Sequence, residues 1–246
     1  MNGENTVMKD LEKEYRLYLP KKSYAVVRVD GKGFSKYTKK LDKPFDADFT
    51  DHMQQTAKYL CENIDGAVLG YTQSDEISVV FSDLAGENTD WWFGGQTQKI
   101  VSIVAAMATA KFNSLRPNGD VALFDARVHH LHELWDVRDY LGWRQGDAIK
   151  NSVSMLASHH FSHRELDGVS TYGRIRKLDE IGVNYHHVAP WIREGAVVRR
   201  SLESSKTTFT RKGVEETVEF TRKKWVVEAA PRFSDVETSL ERLVNV

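Results

Sequence analysis

The first ordered apolar pattern along the chain is the run Tyr24-Ala25-Val26-Val27-Arg28-Val29-Asp30, whose β-branched content predicts a strand. Residues 1–23 before it are polar and charged, with a helical spacing around Leu11, Tyr15 and Leu19 that stops at Pro20. Gly31–Thr38 reads as a loop or short helix anchored by Phe34 and Tyr37. Asp46 opens a helix to about Asn63, because Phe49, Met53, Ala57 and Leu60 recur at helical spacing behind an acidic start. After the turn Asp65-Gly66, the apolar runs 67–72 and 77–82 pair around Gln73–Glu76 as a hairpin. A loop over 83–95 leads to a long alanine-rich helix, Gln96 to Leu115, ended by Pro117-Asn118-Gly119. Ala122–His129 is a further strand.

Strand, helix, two strands, helix and strand is the βαββαβ order of a split, ferredoxin-like sheet. The same sheet underlies polymerase palms and nucleotide cyclases, so the fold leaves function open. The expected class is α+β: an antiparallel palm-type sheet with helices on one face and a C-terminal α/β extension. Beyond residue 132 a helix is expected at about 133–158 and a second at 164–181. The strand Gly195–Leu202 is expected to pair with Phe209–Thr210 or with 214–220, and the chain turns helical after Ser234. With no repeat and no Pro/Gly linker, 133–246 reads as an extension packed on a 1–132 core.

Composition narrows the class without naming it. A chain of 246 residues can bury a sizeable core, and a net charge of −1 advertises no global field for nucleic acid. A single cysteine, Cys61, excludes an internal disulfide. No apolar run approaches the length of a membrane span and the N-terminus lacks a signal-peptide core, which leads us to expect a cytoplasmic protein without membrane contact.

Candidate chemistry gathers at two acidic sites, Asp30 at a strand end and Asp75-Glu76 at a hairpin tip. Each alone has an ordinary structural reading, as a strand-end cap or as turn residues. At the ends of neighbouring strands they suit Mg²⁺, which takes one or two carboxylates and completes its shell with substrate phosphates. The backbone carbonyl of Gly31 is a third oxygen, and the turn Gly31-Lys32-Gly33 offers amides for phosphate. Lys43 precedes a helix N-terminus, a place favourable to anions, though a solvated lysine suits it as well. Lys99 opposes the dipole in the first turn of its helix, which a phosphate ligand would explain. The histidine pairs at 129–130, 159–160 and 186–187 have no zinc-site spacing. Arg193, Arg199, Arg200, Lys206, Arg211, Lys212, Arg222, Lys223 and Lys224, with Trp191, Phe209 and Trp225 among them, suit RNA contacts or form a solvated charged face.

These residues resemble the tRNA-His guanylyltransferases and their bacterial, archaeal and phage-type relatives. The matching pieces are Arg28-Val29-Asp30-Gly31-Lys32-Gly33-Phe34, Lys43-Pro44, Tyr71 to Phe81 with Gln73-Ser74-Asp75-Glu76 at its centre, and Trp143-Arg144-Gln145-Gly146-Asp147. The resemblance implies nucleotide addition in the 3′→5′ direction: ATP activates a tRNA 5′-monophosphate, and GTP or another NTP is then added. It implies that Asp30, Gly31 and Asp75 hold two Mg²⁺ ions and that Glu76 supports their shell. Lys32, Gly33, Phe34, Ser35 and Ser74 would contact the nucleotide, and Lys43 and Lys99 its triphosphate. Arg28, Asn151, Lys177 and Asn184 would meet the RNA end or the activating nucleotide. A homotetramer, a dimer of dimers, is implied in the same way.

One departure bears on substrate. Eukaryotic members carry His-Ile-Asn-Asn where this chain reads Ile149-Lys150-Asn151-Ser152. That favours templated repair of 5′-truncated tRNA over obligatory guanylation of tRNA-His. The rival expectations are a nucleotide cyclase on the same sheet and a catalytically silent RNA-binding protein.

Overall fold

The computed structural model describes residues 2–211, 214–235, 240 and 243–244. Of the expectations above, Lys212 and most of the helix after Ser234 lie outside them; Phe233–Asp235 is a short 3-10 turn. In chain order the elements are α1 (Asn2–Lys13), β1 (Tyr24–Gly31), α2 (Phe34–Tyr37), α3 (Ala47–Asn63), β2 (Ala67–Gln73) and β3 (Glu76–Ser82). These are followed by α4 (Thr97–Leu115), β4 (Phe124–Leu131), α5 (Leu134–His160), α6 (His163–Leu166), α7 (Thr171–Glu180), α8 (Pro190–Arg193), β5 (Ala196–Arg211) and β6 (Val214–Ala229).

The strands form one antiparallel sheet in the order β4-β1-β3-β2-β5-β6, so strands from both halves of the chain share it. Alternate residues of a strand face opposite sides, and that period sorts the core into two layers. Val27 and Val29 of β1 with Ile77, Val79 and Phe81 of β3 pack under α3 and α4, against Met53, Leu60, Val104 and Phe112. Val26, Leu69, Tyr71 and Val80 point the other way, against Val137, Tyr140 and Leu141 of α5. A third cluster ties the end of α5 to α6 and α7 through Val153, Leu156, Leu166 and Leu178.

Two elements differ from expectation. The segment 164–181 is broken because Gly168 adopts φ 67°, and Ser170 starts a new helix by accepting from the Gly173 N–H. The strand expected over 195–202 runs to Arg211 and pairs through sixteen positions with β6. Its outer part is exposed on both faces, so no burial pattern marked it in the sequence.

Candidate active site

Register brings the two acidic sites together. Asp30 lies opposite Glu76 in the β1–β3 pairing, and Gln73 opposite Glu76 closes the β2–β3 hairpin through the two-residue turn Ser74-Asp75. Ser74 takes a left-handed φ of 49°, as such tight turns require. The Gly31 N–H donates to the Asp75 carbonyl at 3.2 Å, which binds the end of β1 to the tip, and the Lys32 N–H donates to the Leu123 carbonyl at 2.8 Å, which binds it to the start of β4. The Asp75 carboxyl is held above the usual carboxylate range, chiefly by burial and further by the negative charge of Asp30. A buried carboxylate that resists ionising is what a divalent cation would relieve. The donors are hard oxygens, so the residues present fit Mg²⁺. Among the described residues no three His, Cys, Asp or Glu side chains gather into a metal site, so a cation here would rest on two carboxylates and a carbonyl.

The glycine turn is shaped by Phe34. A Cβ on Gly31 would lie 2.3 Å from the Phe34 ring, and Gly33 caps α2 at φ 69°. Phe34 itself is 3% exposed, packed among Tyr37, Phe49, Phe112 and Phe124. This corrects the expectation that it meets a base or sugar: the ring anchors the loop from below. Lys32 and Ser35 are exposed beside it.

Glu76 also differs from its expected role. Arg144 of α5 grips both carboxylate oxygens, Nε to Oε1 at 2.7 Å and Nη2 to Oε2 at 2.5 Å, and its Nη1 reaches Asp147 at 2.8 Å. The pair is buried, so Glu76 serves the site by joining the hairpin tip to α5, with no oxygen left free of its partner. One turn earlier, Tyr140 meets Ser78 at 2.7 Å, and burial pushes the Tyr140 phenol up to about 12. Gln145 accepts from the Phe233 N–H and donates to the carbonyls of Glu194 and Pro231, tying α5 to the C-terminal segment. The Trp-Arg-Gln segment was legible only as a family mark; the spacing of Tyr140, Arg144 and Ala148 along one helix face was the available signal for its packing role.

A cavity of 60 Å³ opens beside the tip, lined by Ser74, Gln73 and Thr72 of the hairpin, Asp46 and Phe49 of α3, and Asn151 of α5. Lys43 lies at a neighbouring cleft of 510 Å³ with Ser154, Met155 and His159, and its ammonium donates to the Thr38 carbonyl at 2.7 Å. Met155 borders both spaces. Ser74, Asn151 and Lys43 are therefore gathered on the α3 side of the acidic pair. Asn184 caps a 3-10 turn by accepting from the His186 N–H, and Lys177 lies 5.0 Å over the Phe161 ring, so neither is shown at the carboxylates.

Lys99 is placed away from the site. The α4 start is bonded to Leu17 at the far end of the sheet, whereas Phe112 on the same helix touches Phe34. At 1.5 Å per residue Lys99 stands roughly 20 Å from Phe112. Its ammonium rests 5.0 Å over the Phe93 ring. The dipole argument failed because an aromatic face supplied the cation's partner.

Comparison with known proteins agrees with this geometry. The family pattern described as tRNAHis guanylyltransferase matches residues 5–132. A bacterial tRNA(His) guanylyltransferase-like protein in complex with ATP is 35% identical, with a TM-score of 0.86, over 98% of this chain and 99% of its own. A protein of the same description in complex with GTP is 33% identical, with a TM-score of 0.77, over 99% of both chains. The tRNA(His) guanylyltransferase of Schizosaccharomyces pombe is 36% identical over 139 residues, 53% of this chain and 51% of the relative.

Proposed function

This chain belongs to the tRNAHis guanylyltransferase family, whose members are nucleotidyltransferases, and from that premise we propose that it is a Mg²⁺-dependent 3′–5′ RNA nucleotidyltransferase acting on tRNA 5′ ends. The observation that carries this reading is the hydrogen bond from Gly31 to Asp75, which sets Asp30 beside Asp75 at the open end of the sheet. Asp30, Asp75 and the Gly31 carbonyl would hold the metal. Bound Mg²⁺ supplies neutralisation of phosphate charge and activation of the attacking hydroxyl. The protein's own contribution is positioning, which with electrostatics dominates phosphoryl transfer. Ser74 and Asn151 would meet one nucleotide, and Lys43 and Lys32 would meet its phosphates.

In this reading a 5′-monophosphate is first joined to AMP from ATP, releasing pyrophosphate. The 3′-hydroxyl of an incoming NTP then attacks that phosphate and displaces AMP. The Ile149-Lys150-Asn151-Ser152 segment favours templated repair over obligatory G addition. Support for RNA contact by the β5–β6 arm is partial. Its cations are balanced by acids across the ladder, Arg222 and Lys224 on Glu203 and Arg199 on Glu228. Assembly as a tetramer belongs to the same proposal and is read by light scattering.

Labelled NTPs incubated with 5′-truncated tRNAs of varied opposing base test the whole. Product that follows the opposing base supports templated repair, and G added whatever faces it rejects that preference. Cyclic product formed without RNA supports the cyclase instead, and tRNA binding with no incorporation supports the silent binder.

A further inference from the structure

The loops behind the glycine turn carry charge that neither the core nor the acidic pair uses. Lys36 in α2, and Lys39 and Lys40 in the 3-10 turn that follows it, are all exposed. Against them the chain leaves α4 through Arg116-Pro117-Asn118-Gly119-Asp120 before β4 begins. Lys40 reaches Asp120 at 2.6 Å and closes the two loops on each other. Asp120 is held below the usual carboxylate range by that contact and then by the charge of Lys36, so Lys36 faces the same ground. A cavity of 270 Å³ lies between the loops, bordered by Tyr37, Lys40, Arg116, Asn118 and Asp120.

Arg116 is the group this arrangement leaves short of a partner. The residue is half-buried, and its Nε is sealed from water with no acceptor. The turn is built close against it: the Gly119 N–H donates to the Arg116 carbonyl at 2.9 Å, and a Cβ on Gly119 would stand 3.6 Å from that Nε. Burying part of a guanidinium without an acceptor is costly. Among the described residues Arg116, Lys36 and Lys39 form no ion pair, and the acids of the two loops are Asp42 and Asp120. Four cations against two carboxylates leave the recess positive, and an anion is what it lacks.

Position decides which anion. Gly31 pairs with Phe124 at the start of β4, and the Lys32 N–H donates to the Leu123 carbonyl. Asp120 precedes Phe124 by four residues, at most about 14 Å of chain. Tyr37 on the cavity wall stacks on Phe34 at 4.8 Å, and Phe34 lies under Gly31. The recess is therefore a short step from the acidic pair on the β4 side, whereas the cavity at Ser74 and Asn151 opens on the β2 side. A strand that continues away from a reacting end carries further phosphates to such a place. We infer that Arg116, Lys36 and Lys39 seat the phosphate backbone of RNA a few nucleotides from the 5′ end being extended. The inference rests on the nucleotidyltransferase reading and adds to it a contact made by residues outside the acidic motifs. Two sources offer the same phosphate chemistry, the extended strand and the strand opposing it.

The test uses the full chain and measures RNA affinity apart from nucleotide incorporation. A 5′-truncated tRNA is titrated over a range of salt against the wild type, Arg116→Gln and the double variant Lys36→Gln/Lys39→Gln, each checked for an unchanged melting temperature. ATP and GTP are titrated alongside. Arg116→Gln should weaken the RNA about tenfold, the loss expected for a charge-assisted contact. Each cation removed should flatten the slope of log affinity against log salt by roughly 0.7–0.9, while affinity for ATP and GTP holds. Methylphosphonate linkages, which lack the phosphate charge, are then placed one at a time near the 5′ end or in the opposing strand. A linkage that weakens the wild type and leaves Arg116→Gln indifferent locates the seat and tells which strand supplies it. Folded variants with wild-type RNA affinity and salt slope overturn the seat, and so does a loss confined to ATP or GTP. Lys36→Gln/Lys39→Gln, at exposed positions, keeps the test decisive if Arg116→Gln does not fold. Neutral variants of an enzyme that still adds nucleotides remove the seat alone; a wild type that binds RNA through these residues and adds none removes the nucleotidyltransferase reading and leaves the RNA contact standing.

Discussion

Asp75 bears the sharpest consequences at the scale of single residues. Its folded pKa is raised, so ionising it works against the fold: the penalty is absent below the unfolded value of about 4 and complete above the folded one. Asp75→Asn should therefore melt higher than the wild type at neutral pH, and the difference should vanish as pH falls below about 4. The same substitution, like Asp30→Asn, should abolish nucleotide incorporation; near-normal turnover by either variant would remove the metal assignment. Stability gained as activity is lost is the expected signature of a strained functional group. Arg144 makes the opposite case. Arg144→Met leaves the Glu76 charge buried alone and should cost about 3–5 kcal/mol in denaturant unfolding. Replacing both partners with methionine should recover most of that stability and leave activity low, because the tip is then no longer tied to α5.

At the scale of elements, the site is made where β1, the β2–β3 hairpin and α5 meet. The loop between β1 and α2 stays close to the sheet because Gly31 admits the Phe34 ring. Gly31→Ala should push that ring outward, with an overpacking cost of about 1–3 kcal/mol seen in thermal melts and a fall in turnover. An unchanged melt would mean the ring has room the geometry denies it. The hairpin and the glycine turn were readable because Gly and a two-residue turn are local signals. The clamp from Arg144 to Glu76 was not, since it joins positions 68 residues apart that no local pattern relates.

Across the whole molecule, the β5–β6 arm extends the palm sheet beyond any layer that could bury it. Its described outer positions, 203–210 and 217–222, are largely exposed, so they add little to the core. Joining Leu202 to Lys223, which face each other in the ladder, through an Asn-Gly turn should leave the melting temperature and NTP affinity unchanged. RNA affinity and its salt dependence should both fall if the arm contacts phosphate. Equal salt slopes for the two proteins would confine RNA binding to the body of the sheet.

The order βαββαβ, the apolar faces of α3 and β1–β3 and the two acidic sites were all determined by the chain's own pattern, because periodicity and turn chemistry act over a few residues. Which charges remain available was decided only by folding. Long-range packing gave Glu76 to Arg144, moved Lys99 to the far end of α4 and sank Phe34 into the core, while it left the Nε of half-buried Arg28 without an acceptor. A carboxylate or cation is free or committed according to what lies across the sheet from it, and residues distant in sequence settle that.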